Sequence, residues 1–186
     1  MSIHYIQGDA THPVGDGPKI IAHICNDVGK WASGFVLALS RRWPEPEAAY
    51  RSWMRQSKTA ECQVRQSIVP VANFVVETED ATRLGSVQFV DVDDDLVVAN
   101  MISQHGIRRR QGPDGSDIGP APIRYGPLER ALLTVANQAV LYEPAATVHM
   151  PRIGCDRAGG SWDRVEPIIR NTLAVSQIDV WVYDMT

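Results

Sequence analysis

Apolar residues recur along this chain in blocks that alternate between strand spacing and helix spacing. Short apolar runs and strictly alternating positions predict strands, and one continuous apolar run predicts a strand that is covered on both faces. The predicted strands lie at residues 3–6, 19–25, 87–92, 96–102, 147–150 and 178–183. Apolar positions three and four residues apart predict helices at residues 35–43, 46–54, 128–139 and 165–173.

Two long segments fit neither pattern. Residues 57–83 are polar at both ends, which predicts an insertion into the domain. Within this segment, Pro70 indicates that the apolar stretch 67–76 is a hairpin or an edge strand, because proline has no N–H to donate a hydrogen bond to a neighbouring strand. Residues 103–121 contain four glycines and two prolines without periodicity. A long loop is expected there, and such loops in compact domains are commonly functional.

The order of the elements interleaves strands with helices. This order predicts an α/β domain with a mixed sheet that is covered on both faces. Ligands of such sheets bind outside the carboxyl ends of the strands. Binding residues are therefore expected in the turns after Ile6, Cys25, Ile102 and Met150.

Length and composition restrict the class of protein further. A chain of 186 residues that is 44% hydrophobic and 22% charged has the size and core of one globular domain, residues 1–186. No apolar run approaches the ~20 residues of a membrane span, and no secretory signal is visible at the start. Three cysteines without a pairing motif favour a reducing, cytoplasmic location.

The net charge of −4 argues against general binding of nucleic acids, which would need a strongly local basic patch. The three arginines at residues 108–110 form such a cluster, but we interpret them as part of a solvated loop. The five histidines lack the spacing of metal ligands, so no metal is expected. Nothing in the sequence indicates the oligomeric state.

The turns after the first two strands carry residues that suit a nucleotide. The carboxylate of Asp9 could accept a hydrogen bond from an exocyclic amine such as that of adenine, and an Asx turn is the structural alternative. The loop at residues 26–35 is rich in glycine and runs into a helix, whose free N–H groups suit an anion. Asn26 offers a donor and an acceptor for sugar hydroxyls. Trp31 could be a ligand contact or a core aromatic.

The turn at residues 150–162 follows a strand and precedes a helix. Its consecutive backbone N–H groups could form a nest for an anion, although the sequence is not a P-loop. A helix start also lowers the pKa of a thiol, so Cys155 could act as a nucleophile with His23, His105 or His149 as its base. No motif connects these residues, and the thiol mechanism is the less favoured reading.

Three passages together resemble a macrodomain, the ADP-ribose-binding module. They are Gly8-Asp9-Ala10-Thr11, then His23-Ile24-Cys25-Asn26-Asp27 through Gly34-Phe35-Val36-Leu37-Ala38-Leu39, then Met150-Pro151-Arg152-Ile153-Gly154-Cys155. The chain is similar to the bacterial type of the branch that includes terminal ADP-ribose protein glycohydrolase, over nearly its whole length outside residues 57–83. The resemblance implies a three-layer αβα fold around a central mixed sheet, with ADP-ribose as ligand or product and no separate cofactor.

The resemblance also implies a role for each turn. Asp9, with Ala10 beside it, would receive the adenine amine. The distal ribose would be wrapped by Asn26, Trp31, Ser33, Gly34 and Phe35. The diphosphate would lie on the turn that contains Gly154, Cys155, Asp156, Ala158, Gly159 and Gly160. Backbone amides can hold a diphosphate without a basic protein, which agrees with the net charge of −4.

Two positions depart from the chemistry of that branch. Gln104 stands where the branch carries a lysine, and Ala158 stands where it carries an aspartate. Gln104 cannot form a Schiff base and Ala158 cannot exchange a proton, although both stay expected ligand contacts. Asp156 could substitute for the missing aspartate if the loop were shifted.

These features lead to one main hypothesis and two alternatives. An ADP-ribosyl hydrolase would remove ADP-ribose from modified proteins or small molecules, with water oriented by Asn26 and with Asp27 or Asp156 as an auxiliary base. The nearby diphosphate would stabilise the oxocarbenium-like anomeric carbon. The alternatives are a reader that binds ADP-ribose without turnover and a phosphatase acting on ADP-ribose 1″-phosphate. No membrane partner is expected, and nucleic acid is expected only as an ADP-ribosylated target.

Overall fold

A mixed sheet forms the centre of the protein. The computed structural model describes residues 2–56, 73–79, 82–107 and 110–184. The strands in these ranges are β1 (Ile3–Gln7), β2 (Lys19–Asn26), β3 (Phe74–Val76), β4 (Val87–Asp93), β5 (Leu96–Gln104), β6 (Arg110–Gln111), β7 (Asp117–Ile118), β8 (Thr147–Pro151) and β9 (Val180–Asp184). Seven of them make the sheet, in the order β1-β9-β8-β2-β5-β4-β3, and β6 pairs with β7 in a separate ribbon.

Within the sheet, β1, β9, β8, β2 and β5 run parallel to one another, and β4 and β3 extend the sheet as antiparallel strands. The carboxyl ends of the parallel strands therefore meet at one edge of the sheet. At this edge Cys25 pairs with Ile102 and Asn26 with Gln104. The loops that follow β2 and β5 consequently lie side by side.

Helices cover both faces of the sheet. They are α1 (Phe35–Arg42), α2 (Glu45–Arg55), α3 (Tyr125–Ala139) and α4 (Trp162–Ile169), which continues into a π-helical turn at Arg170–Ala174. Successive strand residues point to opposite faces, so Ile20 packs in the core with α3 and α4, and Ile21 packs with α1 and α2. The predicted three-layer αβα fold with a central mixed sheet is confirmed. Among the described residues, none of the helices has the length and apolar composition of a membrane span.

The predicted elements are found, with shifted ends. β3 is an antiparallel edge strand, as expected for the end of the stretch 67–76, whose earlier residues 67–72 lie outside the described residues. Helix α4 begins at Trp162 and contains Pro167, which cannot donate to the carbonyl four residues earlier. The ribbon of β6 and β7 interrupts the loop that is expected at 103–121. The sequence did not predict this ribbon, because strands of two residues are too short to show an alternation of apolar and polar positions. Arg108 and Arg109 lie outside the described residues.

Candidate functional site

A cleft opens at the edge of the sheet where β2, β5 and β8 end. It consists of two adjoining cavities of about 620 and 520 Å³. Both are lined by Ile24, Ser33, Val36, Gln104, Asp156 and Arg157. The first cavity extends towards Asn26 and Lys30, and the second extends towards Arg152, Tyr183 and Asp184. A hollow with two ends suits an elongated ligand whose two halves differ.

Two loops that contain glycine face each other across the cleft. Gly34 before α1 has a φ of 79°, and Gly154 after β8 has a φ of 77°, a region that favours glycine. A Cβ at Gly34 would lie 4.0 Å from Cδ of Arg157, so this side chain reaches the opposite loop. A Cβ at Gly160 would lie 2.6 Å from the carbonyl oxygen of Gly154, which excludes larger residues at position 160.

The turn after β8 presents backbone amides to the cleft. The amide of Gly159 donates to the carbonyl of Asp156 at 2.9 Å, which closes the turn. Within the described residues, the amides of Asp156, Arg157 and Ala158 donate to no protein acceptor. All three residues line the second cavity. Consecutive free N–H groups can form a concave site for an anion, so the anion nest suggested by the sequence stays a prediction for this turn.

Besides Arg152, which is paired with Asp184, two basic side chains that the sequence analysis missed lie in the cleft. Lys30 lines the first cavity and Arg157 lines both. In the part of the chain that the structure describes, neither side chain has an ion pair or a hydrogen bond. A lone lysine or arginine in a polar loop gives no sequence signal, because its role depends on which loop it faces. Here both add positive potential beside the free amides, which favours an anionic ligand.

The side chain of Asn26 holds the loop after β2. Its Oδ1 accepts hydrogen bonds from the amides of Val28 at 3.1 Å and Lys30 at 3.0 Å. The hydroxyl of Tyr50 donates to the backbone carbonyl of Asn26 at 2.7 Å and lies 3.1 Å from Oδ1. Nδ2 of Asn26 donates to the carbonyl of Lys30 at 2.6 Å. Asn26 also lines the first cavity. It therefore shapes the loop and retains one amide hydrogen for a ligand.

The carboxylate of Asp27 is buried, and each of its two oxygens has a hydrogen-bond partner. Its Oδ2 lies 2.5 Å from Nδ1 of His105, and its Oδ1 accepts from the amide of Gly106 at 2.8 Å. Asp27 is not among the residues that line either cavity. A carboxylate that is 3% exposed and bonded at both oxygens does not fit the expected role of an auxiliary base. Asp156, the other expected base, lines both cavities and is exposed.

Asp9 and Ala10 lie next to the end of the second cavity and do not line it. The amide of Gly8 donates to the carbonyl of Asp184 at 3.0 Å, and Asp184 lines that cavity. One oxygen of Asp9 accepts from the amide of Thr11 at 2.9 Å, so the Asx turn is present. Asp9 is exposed and Ala10 is buried. Contact of Asp9 with adenine stays a prediction.

Of the loop residues expected around the distal ribose, Ser33, Gly34 and Phe35 line the cleft. Trp31 does not: it is buried in the core against α1 and α2, and its Nε1 donates to Oγ of Ser40 at 2.7 Å. The structural alternative for Trp31, a core aromatic, is the one that the packing produces. The other expected contacts that line the cleft are Gln104, Gly154, Cys155, Asp156, Ala158 and Gly159.

Solved structures share this fold along the whole chain. A protein of unknown function from Bacteroides thetaiotaomicron is 44% identical, with a TM-score of 0.77 over 99% of this chain and 98% of that chain. A macrodomain protein from Streptomyces coelicolor is 43% identical, with a TM-score of 0.73 over 98% of this chain and 99% of that chain. This chain belongs to the macrodomain family. No family model matches the sequence of this macrodomain.

Curated relatives are more distant. Over 184 residues this macrodomain is 29% identical to the chromodomain-helicase-DNA-binding protein 1-like of Mus musculus. The matched segment covers 98% of this chain and 18% of that protein. The chain thus spans less than a fifth of that relative's length. The chain is also 32% identical over 59 residues to the ADP-ribose 1″-phosphate phosphatase of Lodderomyces elongisporus. This shorter match covers 31% of this chain and 37% of that protein.

The thiols of this macrodomain that the structure describes are not activated. Burial raises the pKa of Cys25 and of Cys155, so the nucleophilic thiolate is scarce at neutral pH. His23, which lines the second cavity, is neutral because burial lowers its pKa to about 4. Its Nε2 is hydrogen-bonded to Oδ1 of Asn100 at 2.6 Å. No group of three metal-binding side chains is found among the described residues.

Proposed function

We propose that this macrodomain binds ADP-ribose in the cleft and hydrolyses the bond between the distal ribose and an acceptor. The observation that carries the proposal is the row of free amides at Asp156, Arg157 and Ala158, which suits a diphosphate. A diphosphate bound there has one cavity on either side. The two cavities then accept the two halves of the ligand.

The two ends of the cleft differ, and the difference suggests the direction of the ligand. The second cavity leads to Asp184, which is bonded to the turn of Asp9 and Ala10, and we assign the adenosine to this end. The first cavity leads to Asn26 and is lined by Gln104, and we assign the distal ribose to it. The anomeric carbon then lies in the first cavity.

Few side chains of the first cavity can act on that carbon. Gln104 can orient water but cannot take up its proton. Among the described residues that line this cavity, Asp156 is the one carboxylate. We assign to it the stabilisation of the positive charge that develops on the sugar, together with the diphosphate.

The resemblance to the branch of terminal ADP-ribose protein glycohydrolase supports hydrolysis. Gln104 and Ala158 imply a chemistry that differs from the lysine and aspartate of that branch. We propose modified proteins or small molecules as the acceptors, and a nucleic acid only where it is itself ADP-ribosylated. We propose the cytoplasm as the compartment.

A phosphatase acting on ADP-ribose 1″-phosphate is the second candidate. The partial match to a phosphatase of that name supports it, and Lys30 lies in the cavity where a terminal phosphate would end. A reader without turnover is the third candidate. Asn26 is bonded within its own loop and Asp27 is bonded to the loop after β5, and these bonds favour a reader because they reduce the groups free for chemistry.

Three assays separate the candidates. Calorimetry with ADP-ribose measures binding, release of labelled ADP-ribose from ADP-ribosylated protein measures hydrolysis, and phosphate release from ADP-ribose 1″-phosphate measures phosphatase activity. Binding together with release of ADP-ribose is expected. Binding with phosphate release alone would favour the phosphatase, and binding without either product would favour the reader. Absence of binding would contradict all three.

A further inference from the structure

The contact between Asp27 and His105 differs from other histidine–carboxylate contacts among the described residues. Nδ1 of His105 lies 2.5 Å from Oδ2 of Asp27, whose side chain is 3% exposed, while the imidazole is 55% exposed. His4 and Asp179 are 3.8 Å apart, and the Asp179 side chain is 48% exposed. A buried carboxylate thus holds one nitrogen of His105, while much of the ring stays accessible.

Backbone contacts hold this pair beside the first cavity, next to residues that line it, although neither His105 nor Asp27 is itself a lining residue. Gln104 and Ile107, on either side of His105 in the chain, both line that cavity. The amide of His105 donates at 2.9 Å to the carbonyl of Pro122, which lines it as well. The amide of Asp27 donates to the carbonyl of Gln104 at 2.9 Å. Residues that line the first cavity therefore border the pair on several sides.

We propose that His105 is the general base of the hydrolysis and that Asp27 is its positioning residue, an inference that rests on the proposed function. When Nδ1–H donates to Asp27, Nε2 is the unprotonated nitrogen and can accept a proton. The carboxylate also stabilises the imidazolium that forms. This assignment gives Asp27 a role in the chemistry although its own oxygens are bonded and lie outside the cleft.

The step is balanced without an oxidant or a metal. A water molecule gives a proton to Nε2 of His105 while its oxygen forms a bond to the anomeric carbon. The bond from the anomeric carbon to the acceptor oxygen breaks, and its electron pair leaves with the acceptor. The imidazolium then returns the proton to the acceptor oxygen or to solvent. The products are ADP-ribose and the free acceptor.

The test compares turnover and binding in three variants. His105→Ala is expected to lower kcat for release of ADP-ribose by about 10²–10⁴-fold and to leave the Kd of ADP-ribose unchanged. Added imidazole is expected to restore part of the lost rate. In Asp27→Asn the side-chain oxygen can still accept from the amide of Gly106, while the NH₂ group faces Nδ1 of His105. Nδ1 is then the unprotonated nitrogen and Nε2 carries the hydrogen. Nε2 can no longer take a proton from water, so kcat is expected to fall. His4→Ala, at the amino ends of the strands, is the control and keeps the wild-type kcat.

Other outcomes overturn the assignment. Wild-type kcat in His105→Ala would contradict it directly. Loss of turnover with an equal loss of affinity, or without rescue by imidazole, would indicate a structural role. If the wild-type protein binds ADP-ribose but releases none from a modified protein, the proposed function fails first and this inference fails with it. Measuring the wild type before the variants separates the two failures.

Discussion

Polar side chains in and beside the cleft divide into those that fix a loop and those that remain for a ligand. The side chains of Asn26 and Asp27 form hydrogen bonds with the backbone of neighbouring loop residues. Lys30 and Arg157 carry charge into the cleft without a partner among the described residues. Polarity alone does not distinguish the two groups, because both stand in polar loops. The distinction depends on hydrogen bonds that form only in the folded chain.

We expect Asp9→Ala to weaken ADP-ribose binding by about 1–3 kcal/mol, the cost of leaving a polar contact unpaired. Calorimetry on the pure protein measures this change. Asp9→Asn is the matched control for the turn, since its oxygen can keep the bond from Thr11. Its new amide group would face the adenine amine, so it should lose affinity at unchanged thermal stability. Wild-type affinity in both variants would contradict the assigned position of adenine.

We expect Gly159→Val to damage the phosphate-binding turn. Gly159 has a φ of 69°, which costs a residue with a side chain about 1–2 kcal/mol, and the branched side chain would also crowd the first cavity. ADP-ribose titration should show a large loss of affinity. Gly115→Val, at a φ of 80° with no atom near its Cβ position, carries the same strain outside the cleft. Equal affinity in the two variants would contradict a role of Gly159 at the ligand.

At the scale of elements, sheet register brings the site together. β2 and β5 are parallel neighbours, so Asn26 and Gln104 end up opposite each other although 78 residues separate them in the chain. The turn after β8 joins them because β8 is the neighbour of β2 on its other side. Periodicity predicted each of these strands but not their order in the sheet, since strand order depends on long-range packing.

The predicted insertion at 57–83 ends in residues that pack on the domain. Phe74 in β3 stacks on Phe89 with ring centroids 4.8 Å apart. Glu77 accepts from Nε of Arg83 at 3.0 Å and from Nε1 of Trp53 at 2.6 Å. The sequence predicted a hairpin or an edge strand from Pro70 but carried no signal for this largely buried ion pair, because its partners are set by the tertiary fold.

We expect deletion of residues 57–83 with a short linker to leave the Kd of ADP-ribose unchanged, since the segment's described contacts lie away from the cleft. The same deletion should lower the free energy of unfolding by about 1–3 kcal/mol, because it removes the Phe74 stack and the Glu77 contacts. Urea unfolding measures this change, and Phe74→Ala in the full chain is the control. A folded deletion variant without affinity would show that the segment contributes to the site.

At the scale of the whole molecule, two separate cores lie on the two faces of the sheet. Polar groups are buried beside them, among them His23 and His149. His149 is hydrogen-bonded to the hydroxyls of Thr147 at 2.8 Å and Tyr183 at 2.9 Å. Burial lowers the pKa of both histidines to about 4, and for His149 the charge of Lys19 adds to the effect. The fold therefore holds both imidazoles neutral.

We expect acid to destabilise the fold through these two histidines. In the unfolded chain they titrate near their ordinary value of 6.5, so the unfolded state binds protons more strongly. The free energy of unfolding should fall as the pH drops from about 6.5 to about 4, by on the order of 3 kcal/mol for each group. Urea unfolding at several pH values measures the slope, and His149→Gln should reduce it. A flat profile over this range would contradict the expectation.

The sequence by itself determined the elements and the chemistry of the turns. Periodic apolar positions fix which segments can bury one face or two, and glycine-rich turns at strand ends limit what can bind there. The tertiary structure decided which residues meet. It put Trp31 in a core, bonded Asp27 to His105 and brought Lys30 and Arg157 into one cleft. Local sequence does not encode these outcomes, because each depends on a contact between segments that are distant along the chain.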